Sequence, residues 1–184
     1  MACQLTHHLP PRSRIVLADV APEPAGRARE DCAFVRADLS DRAALAAIFE
    51  KEKPDRVIHR ASLLSGSTEQ NRSLGWAMIA TASLEFLELC LAHGVGRVLF
   101  PSSLAVWGGK LPDPLAEDFE TWPDGLYGVT KVAVERLGHY YHRKHGLDFR
   151  CLRLPVIISP HAPPGAASAY ASHAFVGAVR QGEF

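Results

Sequence analysis

The chain has 184 residues, enough for one domain or for one domain with a short extension. Twenty Lys and Arg balance twenty Asp and Glu, so no net field would draw the protein to nucleic acid or to an anionic membrane. The hydrophobic fraction of 47% is that of a globular chain with a buried core. The cysteines are far apart in the sequence, which favours buried thiols in a reducing cytosol, and no group of residues has the spacing of metal ligands. We therefore expect a cytoplasmic protein without a metal site.

The N-terminal segment, residues 1–13, contains Pro10 and Pro11 and lacks the apolar core of a secretory signal. It is expected to be a loose lead-in. No apolar stretch approaches the roughly 20 residues of a membrane span, so we expect no membrane partner.

Five short apolar runs follow and predict buried parallel strands. They are residues 14–19, 33–36, 56–59, 97–100 and 149–154. Segments with helical periodicity lie between and after them, at residues 41–50, 74–93, 127–145 and 170–180, with Ser40 as the expected N-cap of the first. This alternation predicts an α/β fold with a doubly wound parallel sheet.

Tyr127 and Lys131 are the most informative pair of residues. Four positions apart on a helix, their side chains lie one turn apart on the same face. An ammonium beside a phenol favours the phenolate, so we expect Lys131 to lower the pKa of Tyr127. Such a tyrosine could take a proton from an alcohol near neutral pH.

Polar residues end several predicted strands, where ligands of such sheets bind. Asp19 ends the first strand, where a carboxylate can accept hydrogen bonds from the ribose of a cofactor. Asp38 follows the second strand, and Ser102 and Ser103 follow the fourth. Ser102 is interpreted as a strand-end cap.

Several motifs in a fixed order resemble the extended short-chain dehydrogenases, also called the NAD-dependent epimerase/dehydratase family. They are Ala37-Asp38-Leu39, Val57-Ile58-His59-Arg60-Ala61-Ser62, Pro101-Ser102-Ser103-Leu104-Ala105-Val106-Trp107-Gly108, Tyr127-Gly128-Val129-Thr130-Lys131 and Leu152-Arg153-Leu154-Pro155. The resemblance covers residues 14–184 and implies a partial Rossmann-type NAD-binding domain, with the start of a substrate lobe after about residue 155.

The resemblance also implies roles. Ser103 would hydrogen-bond the substrate oxygen, Tyr127 would be the general acid/base, and Lys131 would hold the nicotinamide ribose. The remaining implied cofactor contacts are Asp19 at the adenosine ribose, Asp38 and Leu39 at the adenine, Ala61 at the middle of the cofactor, and Pro155. An acid at Asp19 would repel a 2′-phosphate, so NAD is expected rather than NADP.

Two groups within the family are most similar. Residues 63–65, 69–71, 137–150 and 156–159 resemble the short-chain type of L-threonine 3-dehydrogenase, whereas residues 108–114, 166–168 and 171–172 resemble D-erythronate dehydrogenases. Ser65 and Ser168 are therefore candidate substrate contacts, or else solvated loop residues. The implied reaction is oxidation of a secondary alcohol in a small hydroxy or amino acid.

The chain departs from the family pattern in several places. No strand with a glycine-rich turn precedes residue 14, so the chain is expected to lack the family's first strand and most of its substrate lobe. Ile79 stands where the family usually has an asparagine, Arg60 where it usually has a leucine, and Ala169 where threonine dehydrogenases have an aspartate.

Three hypotheses follow. The chain is an NAD-dependent dehydrogenase, a nucleotide-sugar epimerase or dehydratase, or a truncated remnant that does not bind NAD. The resemblance further implies a homodimer through the helices at 74–93 and 127–145. Its candidate contacts, each of which could instead pack in the core of the chain, are Phe86, Leu87, Tyr140 and Tyr141.

Overall fold

The computed structural model describes residues 13–23, 32–159, 162 and 169–181. Residues 1–12, residues 24–31 and Ser168 lie outside the described residues. The chain divides into two compact units, Met1–Pro54 and Asp55–Phe184.

In the first unit, two parallel strands precede one helix. Strand β1 (Ile15–Asp19) pairs in register with β2 (Cys32–Arg36), and helix α1 spans Arg42–Glu52. The prediction of Ser40 as the N-cap is wrong. Asp41 caps the helix by accepting from the Ala44 amide at 2.9 Å, because the Ser40 hydroxyl is occupied with the Asp38 carboxylate at 2.7 Å.

The second unit has a three-stranded parallel sheet in the order β3-β4-β5. Its strands are β3 (Arg56–Ile58), β4 (Arg97–Ser103) and β5 (Asp148–Leu154). Its helices are α2 (Ser65–Gln70), α3 (Arg72–Trp76), α4 (Ala82–Ala92), α5 (Leu126–His145) and α6 (Ala169–Gln181). The predicted α/β class with parallel strands is confirmed, although the described strands form two sheets.

The core of the second unit lies between the sheet and helix α5. Ile79, Phe100 and Val134 are each 1% exposed or less, and Tyr127 and Phe149 pack against them. Ile79 lies in a single π-helical turn, Ala77–Thr81, that joins α3 to α4. The residue that departs from the family's asparagine therefore supplies apolar surface beneath Tyr127.

The continuous helical segment formed by α3, the π turn and α4 differs from the expectation that no stretch of the chain could span a membrane. Arg72–Ala92 is 21 residues with a mean hydropathy of 1.5 in its most apolar window, so by length and composition it could cross a membrane. Half of that window is buried inside the protein. A core helix meets the same criterion, because its inward face is as apolar as a lipid-facing one.

The structure decides which of the named side chains are exposed. Of the candidate helix-helix contacts, Phe86, Leu87 and Tyr141 are buried in this chain's own core, and Tyr140 is half exposed. Cys151, expected to be buried, is exposed on β5, where nothing in the described residues covers its side chain.

Candidate active site

The carboxyl end of β4 and the start of α5 meet at the predicted catalytic residues. Ser103 is the last residue of β4 and leads into a 3-10 turn, Leu104–Val106. Tyr127 lies in the first turn of α5. Gly128 permits the approach, because a Cβ there would overlap the carbonyl oxygen of Ala105.

The Ser103 side chain lies near the Tyr127 phenol, and its hydroxyl accepts from the Ala105 amide at 3.2 Å. Burial raises the pKa of Tyr127 above its ordinary value, and the nearby Ser103 side chain opposes that rise in part. The expected lowering of this pKa by Lys131 is therefore wrong for this structure. The desolvation of a half-buried phenol outweighs the stabilisation of its anion.

Lys131 lies one turn along the same helix and is 4% exposed. Its Nζ donates to the Pro101 carbonyl at 3.1 Å and stands 4.5 Å from the centre of the Phe100 ring and 5.4 Å from that of Tyr127. Burial lowers the pKa of Lys131 to about 8, because little water remains to solvate the charge. The ammonium therefore stays next to Tyr127 with two hydrogens still to donate.

His59, which follows β3, is also buried near this charge. Its Nε2 lies 2.9 Å from the Ser83 hydroxyl, and its ring stacks on Phe86 with centroids 4.5 Å apart. Burial, and secondly the charge of Lys131, lowers the pKa of His59 to about 4. The ring is neutral at physiological pH and adds no second positive charge behind Lys131.

Glu69 is a contributor that the sequence reasoning did not identify. Its Oε1 accepts from the backbone amide of Tyr127 at 3.4 Å, although it comes from helix α2. The helix N-cap is Gly125, which has no side chain to accept this bond. A carboxylate at this position also complements the positive end of the helix dipole. No sequence signal links positions 69 and 127, because the contact is tertiary.

The other predicted site residues lie in two places. Asp19 and Asp38 follow the carboxyl ends of β1 and β2 in the first unit, where both are exposed, while Leu39 is buried. In the second unit, Ala61 and Pro155 are exposed after β3 and β5, and Ser65 begins α2. Among the described residues, no three His, Cys, Asp or Glu side chains are grouped to hold a metal ion.

Residues 4–183 match the family described as "NAD dependent epimerase/dehydratase family". The chain belongs to this family. The resemblance inferred from the ordered motifs is confirmed, and NAD is the cofactor by which the family is named.

Named members of the family share this part of the chain. The mitochondrial L-threonine 3-dehydrogenase of Sus scrofa is 33% identical over 175 residues, which are 94% of this chain and 46% of that protein. The D-erythronate dehydrogenase of Cupriavidus necator is 40% identical over 162 residues, which are 86% and 49%. Similarity to L-threonine 3-dehydrogenases and to D-erythronate dehydrogenases was expected from segments of the sequence alone.

A solved member has the same backbone arrangement. A monomeric L-threonine 3-dehydrogenase from a metagenome superposes with a TM-score of 0.83 at 29% identity, over 92% of this chain and 54% of that one. The chain therefore spans about half the length of the relatives it matches.

Replacing Lys131 with methionine is expected to stabilise the fold at neutral pH. Because the folded pKa of about 8 lies below the ordinary 10.5, Lys131 destabilises the folded state while it is charged, and this cost is relieved as pH rises from about 8 to 10.5. The variant should be more stable by about 1–3 kcal/mol at neutral pH, with a difference that shrinks above pH 8. Urea unfolding across this range measures it.

The matched control for this prediction is Lys110→Met, at an exposed lysine of the loop before α5. It should leave the free energy of unfolding and its pH dependence unchanged. A Lys131→Met variant that is less stable than the parent at neutral pH would show that the bond to the Pro101 carbonyl outweighs desolvation.

Proposed function

We propose that the complete protein is an NAD-dependent dehydrogenase that oxidises a secondary alcohol in a small hydroxy or amino acid. The observation that carries the proposal is the placement of the Ser103 and Tyr127 side chains near each other, beside the buried ammonium of Lys131. The threonine and erythronate dehydrogenases among the relatives support the substrate class.

Each of the three side chains has its own role in the proposed reaction. The Ser103 hydroxyl donates to the substrate oxygen and orients the alcohol toward Tyr127. Tyr127 removes the hydroxyl proton of the alcohol as general base. The Lys131 ammonium offers its remaining hydrogens to a ribose. NAD, when bound, supplies the hydride acceptor.

Each unit, taken by itself, has polar side chains suited to one ribose of NAD. In the second unit, Lys131 and Tyr127 offer hydrogen-bond donors that a ribose diol can accept. In the first unit, Asp19 is exposed, and one of its oxygens accepts from the Ala21 amide at 3.0 Å. The other oxygen suits a ribose hydroxyl. The sequence contains no Gly-x-Gly-x-x-Gly turn, so the fit does not extend to the pyrophosphate.

Titrations of the purified chain with NADH and with NADPH test the cofactor part of the proposal. Energy transfer from tryptophan to the bound nicotinamide reports binding. We expect saturable binding of NADH and weaker binding of NADPH, because the Asp19 carboxylate repels a 2′-phosphate. Asp19→Asn should reduce the preference for NADH by about tenfold, a change of about 1.4 kcal/mol.

Asp55→Asn is the control, because this carboxylate is exposed and precedes β3 rather than following a strand. It should leave both affinities unchanged. Failure of the folded chain to bind NADH would instead favour the remnant hypothesis for these 184 residues.

A substrate screen distinguishes the two enzymatic hypotheses. Threonine, erythronate and nucleotide sugars are supplied with NAD, and NADH formation is followed by absorbance. Net NADH from one of the small acids supports the proposal. Conversion of a nucleotide sugar with tightly retained NAD and no net NADH would favour an epimerase or dehydratase.

A further inference from the structure

A buried polar cluster lies directly behind the candidate active site. The Ser102 hydroxyl donates to Oε1 of Glu135 at 2.5 Å, and the two residues are 4% and 8% exposed. Ser102 is the neighbour of Ser103 on β4, and Glu135 lies on α5 one turn beyond Lys131. The interpretation of Ser102 as a simple strand-end cap is therefore replaced by a link between strand and helix.

Arg153, near the end of β5, completes the cluster. Its Nη2 donates to Oε2 of Glu135 at 2.9 Å and its Nε to Oε1 at 3.1 Å, so the pair is bidentate. Its Nη1 donates to the Glu117 carbonyl at 3.0 Å, and the guanidinium lies 4.7 Å from the Trp107 ring. One side chain thus connects β5, α5 and the loop that follows the active-site turn.

The arrangement is well suited to fixing the position of a helix. Tyr127, Lys131 and Glu135 are spaced four residues apart, so they share one face of α5. A two-point contact between a guanidinium and a carboxylate restricts rotation and sliding, because both bonds must keep their geometry at once. The bond from Ser102 ties that carboxylate to the strand that carries Ser103.

Stability alone is a poor explanation for this cluster. Removing charges from water costs about as much as a buried ion pair returns, and apolar replacements of such pairs are often as stable. The Glu135 carboxylate of this pair also accepts from Ser102, the neighbour of Ser103, so the pair can set the position of β4 relative to α5.

We propose that Ser102, Glu135 and Arg153 form a positioning network that holds Ser103 in register with Tyr127. The inference rests on the proposed function, in which Ser103 and Tyr127 act on the same substrate oxygen. None of the three residues touches the substrate. Each acts through the placement of β4 and α5.

The first test reads out the Tyr127 phenol and requires neither cofactor nor substrate. With tyrosine labelled at the ring carbon that bears the hydroxyl, the four tyrosines give four NMR signals, and Tyr127→Phe identifies the one of interest. Ser103→Ala removes the hydroxyl that acts on the phenol and sets the reference shift. We expect Ser102→Ala to move the Tyr127 signal in the same direction.

Ser83→Ala is the matched control. Ser83 is 1% exposed and its hydroxyl also bonds a buried side chain, His59, so its loss should disturb packing to a similar degree. It should leave the Tyr127 signal in place. Equal shifts from Ser83→Ala and Ser102→Ala would overturn the proposal, because general loosening would then explain both.

Kinetics of the complete enzyme give the second readout. Glu135→Ala should lower kcat by about 10–100-fold with little change in KM, because the reacting groups are misplaced while binding contacts remain. Glu135→Gln keeps an acceptor for Ser102 and should recover part of the lost kcat. If Gln recovers nothing over Ala, the link through Ser102 is refuted.

The outcomes separate this proposal from the proposed function. A Tyr127 signal that moves in Ser103→Ala but not in Ser102→Ala refutes only the network. A signal that moves in neither refutes the contact between Ser103 and Tyr127, and both proposals fail with it. A chain that shows both shifts but no NADH binding retains the network and loses the proposed function.

Discussion

Tyr127→Phe is expected to lower kcat by about 10²–10⁴-fold, the usual contribution of a positioned general acid or base. The phenyl ring keeps the packing against Ile79 and Phe100, so the fold should persist. NADH affinity should be nearly unchanged, because Lys131 still offers its donors to the ribose. Steady-state turnover and a parallel NADH titration of the two proteins measure the effect.

The pH dependence of the parent enzyme gives a second check on this assignment. Because burial raises the pKa of Tyr127, the base form is scarce at neutral pH, and the rate of alcohol oxidation should increase through the alkaline range. Tyr127→Phe should lose that increase along with its activity. A variant that retains the parent's turnover would refute the role of Tyr127.

The largest expected effect on folding comes from Gly128→Ala. A Cβ at this position would overlap the Ala105 carbonyl and approach Pro123 at 2.6 Å, and a backbone carbonyl cannot rotate away as a side chain can. We expect a loss of about 3 kcal/mol in the free energy of unfolding. Urea denaturation of the parent and the variant measures this loss.

Gly125→Ala is the control for that substitution. The nearest atom to a Cβ there is Oε1 of Glu69, at 2.9 Å, which is the end of a flexible side chain. Its cost should be about 1 kcal/mol, that of a weakened helix N-terminus. Equal costs at the two glycines would show that the turn after Ser103 does not require its close contact with α5.

Local sequence patterns were sufficient for the strands and long helices, and they selected the candidate residues of the site. Apolar runs separated by helical segments predicted the five described strands within a few residues, since the hydrophobic period is a local property. The Tyr127–Lys131 spacing likewise predicted one helical face. The short helix that begins at Ser65 and the π turn at Ile79 were not predicted, because neither has a local signature.

What the sequence by itself determined was the α/β class and the family, and it selected Ser103, Tyr127 and Lys131 as candidate site residues, because the order and spacing of motifs along one chain indicate all three. Only the tertiary structure decided their electrostatics. Whether the pKa of Tyr127 rises or falls depends on how much water its surroundings exclude, and that packing comes from residues distant in sequence such as Ile79 and Phe100. The network of Ser102, Glu135 and Arg153 was also decided there, since its members are far apart in sequence and meet only when strand and helix pack.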